Sequence, residues 1–393
     1  MKQFTFSESL SIEDLPATFS QLTGSSIITG GSITILNNGD EFFPALYTDI
    51  KNAKISIELS VYIWKKGVVS NTVFDLLIQK AREGVRVRII LDSFGGKAAP
   101  QDKIAALRAA GGMVGWYHPF KIGLLLKFFK RNHTRAIIID NAIAYTGGMA
   151  IADYWQGNAL NKYNWRDMMF RMTGPIITSI QHTFSRIWAS TTGEIIIPSA
   201  IESSNKNNEG IQSVAIVNDS PDQDMEQLTA FFATTIAATK ISLDIATPYL
   251  ILQPRLKKQL IAAAQRGVAI RLLLPGKYID SKIVQAASQN AYGSLLGAGI
   301  KIYEYKPTMI HSKLMIADGI WSIIGSANID TRSSFYNVEN NIGIMDQTFA
   351  THLQDLFNID LKKAYQINAK RWQRRFILRK ISEIFAAIPD DQF

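Results

Sequence analysis

The sequence predicts an α/β protein made of two similar halves, because one succession of strand, helix and strand occurs twice. In the first half, the alternating and β-branched run at 55–63 predicts a strand, the stretch ending in AREG at 81–84 predicts a helix, and 85–92 predicts a second strand. The second half repeats this order between residues 241 and 276. In both halves a glycine stands where the helix is expected to end. An internal duplication explains this repetition.

A pattern of polar residues is duplicated in the same way. It consists of a His, a cation two residues later, an Asp five residues after that and a Gly after seven more. Two lobes that meet face to face would place these equivalent motifs in one shared cleft. The copies are His133, Arg135, Asp140, Gly147 and Gly148 in the first half, and His311, Lys313, Asp318, Gly325, Ser326 and Asn328 in the second.

Each motif predicts a hairpin of two strands. The His and the cation are two residues apart, so on a strand they point to the same face. The apolar runs at 136–139 and 314–317 predict that each strand continues into the core, and Asp140 and Asp318 begin the predicted turns. Because each Asp lies at an odd offset from its His, we expect both Asp residues to be structural. The return strands end at glycines, which allow close approach of the backbone to a ligand.

The composition limits the classes of protein. A chain of 393 residues can form two or three domains, and its net charge of +9 favours an anionic partner, either nucleic acid or anionic lipid. Cys is absent, which excludes disulfides and thiolate zinc sites. No cluster of carboxylates and histidines has metal-ligand spacing, so we expect neither a metal nor a cofactor. No apolar run reaches the roughly 18–20 residues of a membrane span, and the N-terminus is unlike a signal peptide.

The paired histidines are suited to phosphodiester chemistry. One neutral His can attack phosphorus and form a phosphohistidine, while the other donates a proton to the departing alkoxide. Lys313 and Arg135 would neutralise the non-bridging oxygens, and Ser326 and Asn328 would donate hydrogen bonds to them. The other histidines lie outside the repeat and are interpreted as surface or core residues.

The second copy of the motif resembles the signature of the phospholipase D superfamily, H-x-K-x4-D-x6-G-S-x-N. Residues 311–328 match every defined position, and RSSFYNVE at 332–339 looks like a segment of bacterial cardiolipin synthases. The resemblance extends from about residue 38 to the C-terminus. The first-half segments that fall in the family's order are 38–46, 62–64, 131–133, 165–167 and 174–175.

The resemblance implies two pseudo-symmetric phospholipase D-like half-domains, each a mixed β-sheet flanked by helices, that share one active-site cleft. It also implies that each His is oriented by an acidic residue from the strand after the motif, which is Glu339 in the second half and Asp167 in the first. In the first copy Arg135 replaces Lys, Gly148 replaces Ser and Ala150 replaces Asn. Gly148 is still a predicted phosphate contact, but Ala150 offers no donor. We therefore expect the phosphate to depend more on the second half.

Two segments favour a lipid substrate over a nucleic acid. Aliphatic and aromatic residues are mixed with Lys and Arg at 119–131, beside the first motif, and at 362–388, which predicts an interfacial amphipathic helix. Packing of both segments against the protein's own core is the alternative. A nuclease would show more stacking aromatics and less aliphatic bulk. The predicted membrane contacts are Leu124, Leu125, Phe128, Phe129, Trp372 and Phe376.

These observations predict a cardiolipin synthase-like phosphatidyltransferase that joins two phosphatidylglycerols into cardiolipin and glycerol. We expect it to act peripherally on an anionic phospholipid membrane, at the cytoplasmic side, with a monomer sufficient for one active site. The alternatives are a hydrolase or nuclease of the same superfamily, or a phospholipid-binding protein with a weakened first motif. The acceptor alcohol, the identity of the nucleophilic His and the oligomeric state stay open. The predicted domains are an N-terminal extension at 1–37, half-domains at 38–200 and 214–361, a linker at 201–213 and a basic helix at 362–393.

Overall fold

The computed structural model describes residues 10–119, 130–197, 211–218 and 227–374, which form two mixed β-sheets with packed helices. The elements up to residue 192 are α1 (Leu15–Thr23), β1 (Ile27–Thr29), β2 (Ser32–Asn37), α2 (Asn38–Asn52), β3 (Ser56–Val61), α3 (Val68–Arg82), β4 (Arg86–Asp92), α4 (Gln101–Ala109), β5 (Met113–Tyr117), β6 (Arg131–Asn132), β7 (Arg135–Ile139), β8 (Ile143–Gly147), a 3-10 turn (Asp153–Trp155), β9 (Met168–Thr173) and α5 (Ile177–Thr192). The later elements are β10 (Gln212–Asn218), α6 (Gln227–Ala238), β11 (Ser242–Ala246), α7 (Pro254–Gln265), β12 (Ala269–Pro275), α8 (Lys282–Gln289), α9 (Tyr292–Gly297), β13 (Lys301–Tyr305), β14 (Leu314–Ala317), β15 (Trp321–Gly325), α10 (Thr331–Phe335), β16 (Asn337–Met345), α11 (Gln347–Lys362), β17 (Ala364–Gln366) and α12 (Ala369–Gln373).

The two sheets have the same strand order, which confirms the predicted pair of α/β halves. The first sheet runs β2-β9-β8-β7-β3-β4-β5, and the second contains β10-β16-β15-β14-β11-β12-β13 in the matching positions. In both sheets, the last three strands of this order are parallel to one another. All the other neighbouring strands in the order, including the pairs β7–β3 and β14–β11, are antiparallel. The second sheet is extended by β1 at one edge and β17 at the other.

The central strands are apolar on both faces because each sheet is covered on both sides. On β7, Ile137 and Ile139 pack with α2, α3 and α4, whereas Ile138 belongs to a core cluster shared by both halves. The equivalent Ile316 of β14 lies in the same shared cluster, together with side chains of α5 and α11. The two sheets therefore face each other through one core, and their outer faces carry the remaining helices. None of the helices in these described ranges has the length and apolar character needed to cross a bilayer.

Short backbone pairings join the halves directly at the motifs. Strand β6, just before the first His, pairs in parallel with the start of β16 in the second half. The reciprocal pairing is a bridge between Arg166 and Ile310, just before the second His. The backbone N–H of His133 donates to the carbonyl of Val338, and that of His311 donates to Arg166. These pairings fix the strand after each motif beside the histidine of the other half.

The structure differs from the predicted boundaries near the termini. Strand β2 pairs along its length with β9, so the first half begins before residue 38, and β1 pairs with β10 of the second half. Strand β10 begins within the predicted linker. After α11 the chain forms β17 and the short α12 rather than one continuous helix, because β17 completes the edge of the second sheet beside β13.

The predicted membrane contacts have different outcomes. Trp372 is half-buried and packs on the core of the second half, with its ring 4.9 Å from that of Tyr292, as the alternative of packing against the protein's own core expects; its contact with a membrane stays a prediction. Its indole is more stable against this apolar core than exposed on the surface. The other predicted contacts, Leu124, Leu125, Phe128, Phe129 and Phe376, lie outside the described residues, as do most of the segments that carry them.

Candidate active site

Two tight hairpins position the motifs. Asp140 and Asp318 adopt positive φ angles of 53° and 52° in the turns that join β7 to β8 and β14 to β15. The carboxylate of Asp140 accepts hydrogen bonds from the backbone N–H groups of residues 54, 55 and 56, and Asp318 accepts from those of 240, 241 and 242. Both Asp side chains therefore tie the hairpin to the start of the neighbouring strand and take no part in the cleft.

Glycine is required where each return strand ends. Gly147 and Gly325 have φ angles of 146° and 155°, which disfavour residues with a Cβ. A Cβ on Gly147 would lie 2.5 Å from the carbonyl oxygen of Met168, and one on Gly325 would lie 2.2 Å from that of Asn340. These contacts bring the end of each hairpin against the next strand, which carries the carboxylate of the site.

The carboxylates and histidines are paired across the halves. Glu339 of β16 lies 2.9 and 3.0 Å from Nδ1 of His133, and Asp167, just before β9, lies 2.7 Å from Nδ1 of His311. Each carboxylate thus follows the motif of its own half, as expected, but contacts the histidine of the other half. All four side chains are buried. An ionised carboxylate can only accept, so Nδ1 carries the proton and Nε2 is left with the lone pair.

The two carboxylates have different supporting donors. Glu339 accepts from the hydroxyl of Ser326 at 2.5 Å and from the Asn337 amide at 3.2 Å. At the position equivalent to Ser326, Gly148 has no side chain, and a Cβ there would lie 2.2 Å from the nearer carboxylate oxygen of Asp167. Ser326 and Gly148, both predicted as phosphate contacts, therefore border the carboxylates. In place of a serine hydroxyl, the indole Nε1 of Trp155 donates to Asp167 at 3.1 Å.

The motif cations lie beside their histidines. Arg135 donates from Nη1 to the backbone oxygen of His133 at 2.5 Å, and Lys313 donates from Nζ to that of His311 at 2.6 Å. Lys313 Nζ is also 2.9 Å from Nδ1 and 3.1 Å from Nε2 of His311, so the ammonium group lies against the imidazole ring. Within the described ranges, Nε and Nη2 of Arg135 and Oδ1 of Asn328 are buried and have no hydrogen-bond partner. Buried guanidinium donors without acceptors are suited to an anionic ligand.

The electrostatics keep both imidazoles neutral in the free protein. Burial, with the charge of Arg135, lowers the pKa of His133 to about 4. Burial, with the charge of Lys313, lowers the pKa of His311 to about 3. Lys313 also acts on His133, and Arg135 on His311, so the four groups form one electrostatic unit. Burial lowers the pKa of Lys313 to about 7.

The carboxylates remain ionised despite their burial. Burial would raise the pKa of Asp167, but the contact with His311 and the charge of Lys313 outweigh it and hold the pKa below its usual value. The pKa of Glu339 is likewise raised by burial and lowered more strongly by His133 and Ser326. Among the residues that the structure describes, no group of three or more His, Asp or Glu has the arrangement of a metal site.

Several residues around the site had no predicted role. Asp92, at the end of β4, accepts the backbone N–H of Asn132 at 2.9 Å and so holds the segment before His133. The ring of Tyr62 lies edge-on to His133 at 4.9 Å, and Trp165 lies 5.3 Å from His311. The only indication of a role for Asp92 in the sequence was its position as a polar residue at the end of a buried strand. Nothing in the sequence indicated which aromatic rings contact the histidines.

Comparison with known proteins identifies the family. Residues 46–188 and 232–361 match the family described as cardiolipin synthase, PLD-like domain. Cardiolipin synthase 2 of Bacillus anthracis is 34% identical over 350 residues, covering 88% of this chain and 68% of the relative. Cardiolipin synthase A of Erwinia tasmaniensis is 31% identical over 364 residues, covering 91% and 74%.

A solved structure has the same fold. Phosphatidylserine synthase of Haemophilus influenzae Rd KW20 superposes with a TM-score of 0.69 at 14% sequence identity, covering 95% of this chain and 98% of that one. This similarity covers nearly the whole chain and agrees with the fold of two sheets in matching order. The chain therefore belongs to the phospholipase D superfamily, within the family of cardiolipin synthases.

Proposed function

We propose that this protein is a phosphatidyltransferase that converts two phosphatidylglycerol molecules into cardiolipin and glycerol. The observation that carries the proposal is the pair of buried carboxylate–histidine contacts formed across the two halves. This arrangement provides two imidazoles with a protonated Nδ1 and a lone pair on Nε2, as two-step phosphoryl chemistry requires. The curated relatives named as cardiolipin synthases support the transfer reaction and the lipid substrate.

In the first step, Nε2 of His133 attacks the phosphorus of one phosphatidylglycerol, the bond to the glycerol oxygen breaks, and His311 gives the departing alkoxide a proton. In the second step, His311 takes the proton from a headgroup hydroxyl of another phosphatidylglycerol. That oxygen attacks the phosphohistidine, and cardiolipin is released. His133 is favoured as the nucleophile because its Nε2 has no hydrogen bond to any residue of the described chain, whereas Lys313 lies against the ring of His311, 2.9 Å from Nδ1 and 3.1 Å from Nε2.

The bound phosphodiester supplies the charge that prepares His311 as an acid. In the free protein, burial together with the nearby cations Lys313 and Arg135 lowers the pKa of His311 to about 3. An anionic phosphate between Lys313 and Arg135 compensates these charges, so the pKa of His311 rises when substrate binds. The same cations stabilise the charge that develops on the non-bridging oxygens in the transition state. The buried side chain of Asn328, whose Oδ1 has no partner among the described residues, is proposed to add a hydrogen bond to the phosphate.

The substrates are phospholipids, so we propose that the protein works peripherally at the cytoplasmic side of the membrane. The net charge of +9 is suited to anionic headgroups such as those of phosphatidylglycerol and cardiolipin. One chain contributes both histidines and both carboxylates, so a monomer is sufficient for one site.

The test is mass-spectrometric analysis after the pure protein is mixed with phosphatidylglycerol vesicles. We expect cardiolipin and glycerol in equal amounts, and loss of both in His133→Ala and His311→Ala. The exposed His182 and His352 provide matched controls, and their Ala variants should retain activity. Phosphatidic acid as the only lipid product would indicate a hydrolase. Vesicle binding without turnover would indicate a binding protein, and cleavage of single-stranded DNA that requires His311 would indicate a nuclease.

A further inference from the structure

A cavity of about 580 Å³ opens beside the catalytic site in the first half, and the reaction proposed above gives it no role. Its volume is within the usual range for sites that bind small molecules. The cavity lies between the segment that follows β3 and the loop that follows β4. Its main lining residues are Tyr62, Ile63, Lys65, Phe94, Lys97 and Ala98.

The backbone holds the walls of this cavity in place. Trp64 donates its backbone N–H to the carbonyl of Gly95, and Lys66 donates to that of Ala98, so the two segments are joined. The buried carboxylate of Asp92 accepts the N–H groups of Phe94 and Gly95 at 2.8 and 3.1 Å. The cavity is therefore formed by fixed main chain rather than by a loose surface loop.

The walls of the cavity include side chains that are in contact with the surroundings of both histidines. Tyr62 forms part of its wall and also lies edge-on to His133 at 4.9 Å. On the other side, Nζ of Lys65 lies 5.1 Å above the ring of Tyr154, which packs on Trp165, and Trp165 contacts His311. A molecule in the cavity would therefore lie against Tyr62, whose ring contacts His133.

The lining combines positive charge with exposed apolar surface. Lys65 and Lys97 are exposed, and neither forms an ion pair with a carboxylate in the part of the chain that the structure describes. Phe94 has 62% of its surface exposed at the rim. Two ammonium groups without a carboxylate partner are suited to a phosphate, and an exposed aromatic ring is suited to the boundary between headgroups and acyl chains.

We infer that this cavity binds the acceptor, a second anionic glycerophospholipid. Its phosphate lies between Lys65 and Lys97, its glycerol headgroup reaches past Tyr62 to His133, and its acyl chains leave over Phe94. This inference rests on the proposed function and adds where the second substrate binds. It also explains how the phosphohistidine is captured by a lipid hydroxyl before water reaches it, because the acceptor already occupies the entrance.

The test separates donor from acceptor. The donor is a soluble short-chain phosphatidyl ester of p-nitrophenol, and the acceptor is short-chain phosphatidylglycerol below its micelle concentration, so affinity for a membrane surface does not contribute. In the double variant Lys65→Ala/Lys97→Ala, we expect the burst of nitrophenolate to be unchanged. The acceptor concentration for half-maximal cardiolipin formation should rise about tenfold, with more phosphatidic acid formed.

Two further variants make the result specific. Lys51→Ala/Lys54→Ala removes the same charge from exposed positions of the first half that do not line the cavity, and should leave the acceptor dependence unchanged. Ala98→Trp fills the exposed cavity without a change of charge, and should also weaken the acceptor. A change below twofold in both cavity variants, or an equal change in the Lys51/Lys54 control, would overturn the inference. If the wild type forms no cardiolipin from any acceptor, it is the proposed transferase function that fails.

Discussion

Restoring the serine of the motif in the first half should damage the site rather than improve it. The second copy has Ser326 where the first has Gly148, so Gly148→Ser makes the two copies more alike. A Cβ at position 148 would lie 2.2 Å from one carboxylate oxygen of Asp167, far closer than van der Waals contact allows. The carboxylate must move by about 1 Å, which is enough to lengthen its 2.7 Å contact with His311 beyond hydrogen-bond distance.

The expected cost is large because the histidine loses its fixed orientation. A displacement of about 1 Å in a catalytic group can reduce the rate about 100-fold, which corresponds to about 2.7 kcal/mol in the activation free energy. The assay is kcat for cardiolipin formation in Gly148→Ser and Gly148→Ala, with thermal unfolding as the check on folding. Ser326→Gly is the matched change in the other half, and it removes one donor to Glu339 and the acceptor of the Asn340 N–H without displacing a carboxylate.

A double-mutant cycle tests whether the effect passes through Asp167. If Gly148→Ala acts by displacing this carboxylate, it should add little to the loss already caused by Asp167→Asn. Retention of activity within threefold in a folded Gly148→Ser variant would refute the reasoning. Fully additive losses in the cycle would show that the effect has another origin.

Three further predictions follow from the cations and the turns. Lys313→Ala should reduce kcat about 100-fold or more, because the charge is lost. Arg135→Lys should reduce it only about tenfold, because the new lysine keeps the charge. Equal losses for the two variants in steady-state assays would argue against this difference. Lys313 is fully charged well below its lowered pKa of about 7 and loses its charge as pH rises through that value. We therefore expect kcat/KM to fall above neutral pH, and a value that stays level to pH 9 would contradict this. Asp318→Ala should lower the free energy of unfolding, measured in urea, by about 1–3 kcal/mol because the turn contacts are lost. The kcat of the folded fraction should stay within threefold of the wild type, and a selective loss of kcat would show that Asp318 acts in the cleft.

Much of the fold could be predicted because the duplication appears in local patterns. The strand before the first helix, the AREG helix end and the hairpin at Asp140 are each specified by neighbouring residues. The repeat then implied two halves and one cleft. Short edge elements were not predictable in this way, since β1 and β17 exist only because a distant strand offers unpaired backbone groups.

The site was predicted in its residues but not in its pairing. The histidines, cations and carboxylates were all expected in one cleft, yet no local pattern shows that Glu339 contacts His133 rather than the histidine of its own half. That pairing depends on β6 lying beside β16, which is a contact between distant segments. Likewise, Trp372 follows an amphipathic pattern that is equally suited to a membrane or to a core, and only the fold shows that it packs on the core.

The most direct test of the account is to find which histidine carries the phosphatidyl group. With the p-nitrophenyl donor, whose leaving group needs no proton, His311→Ala should release one equivalent of nitrophenolate and then stall. Alkaline quenching and peptide mass spectrometry should then find the phosphatidyl group on His133, and His133→Ala should give no burst. A burst in His133→Ala with the label on His311, or no covalent intermediate in either variant, would contradict the account.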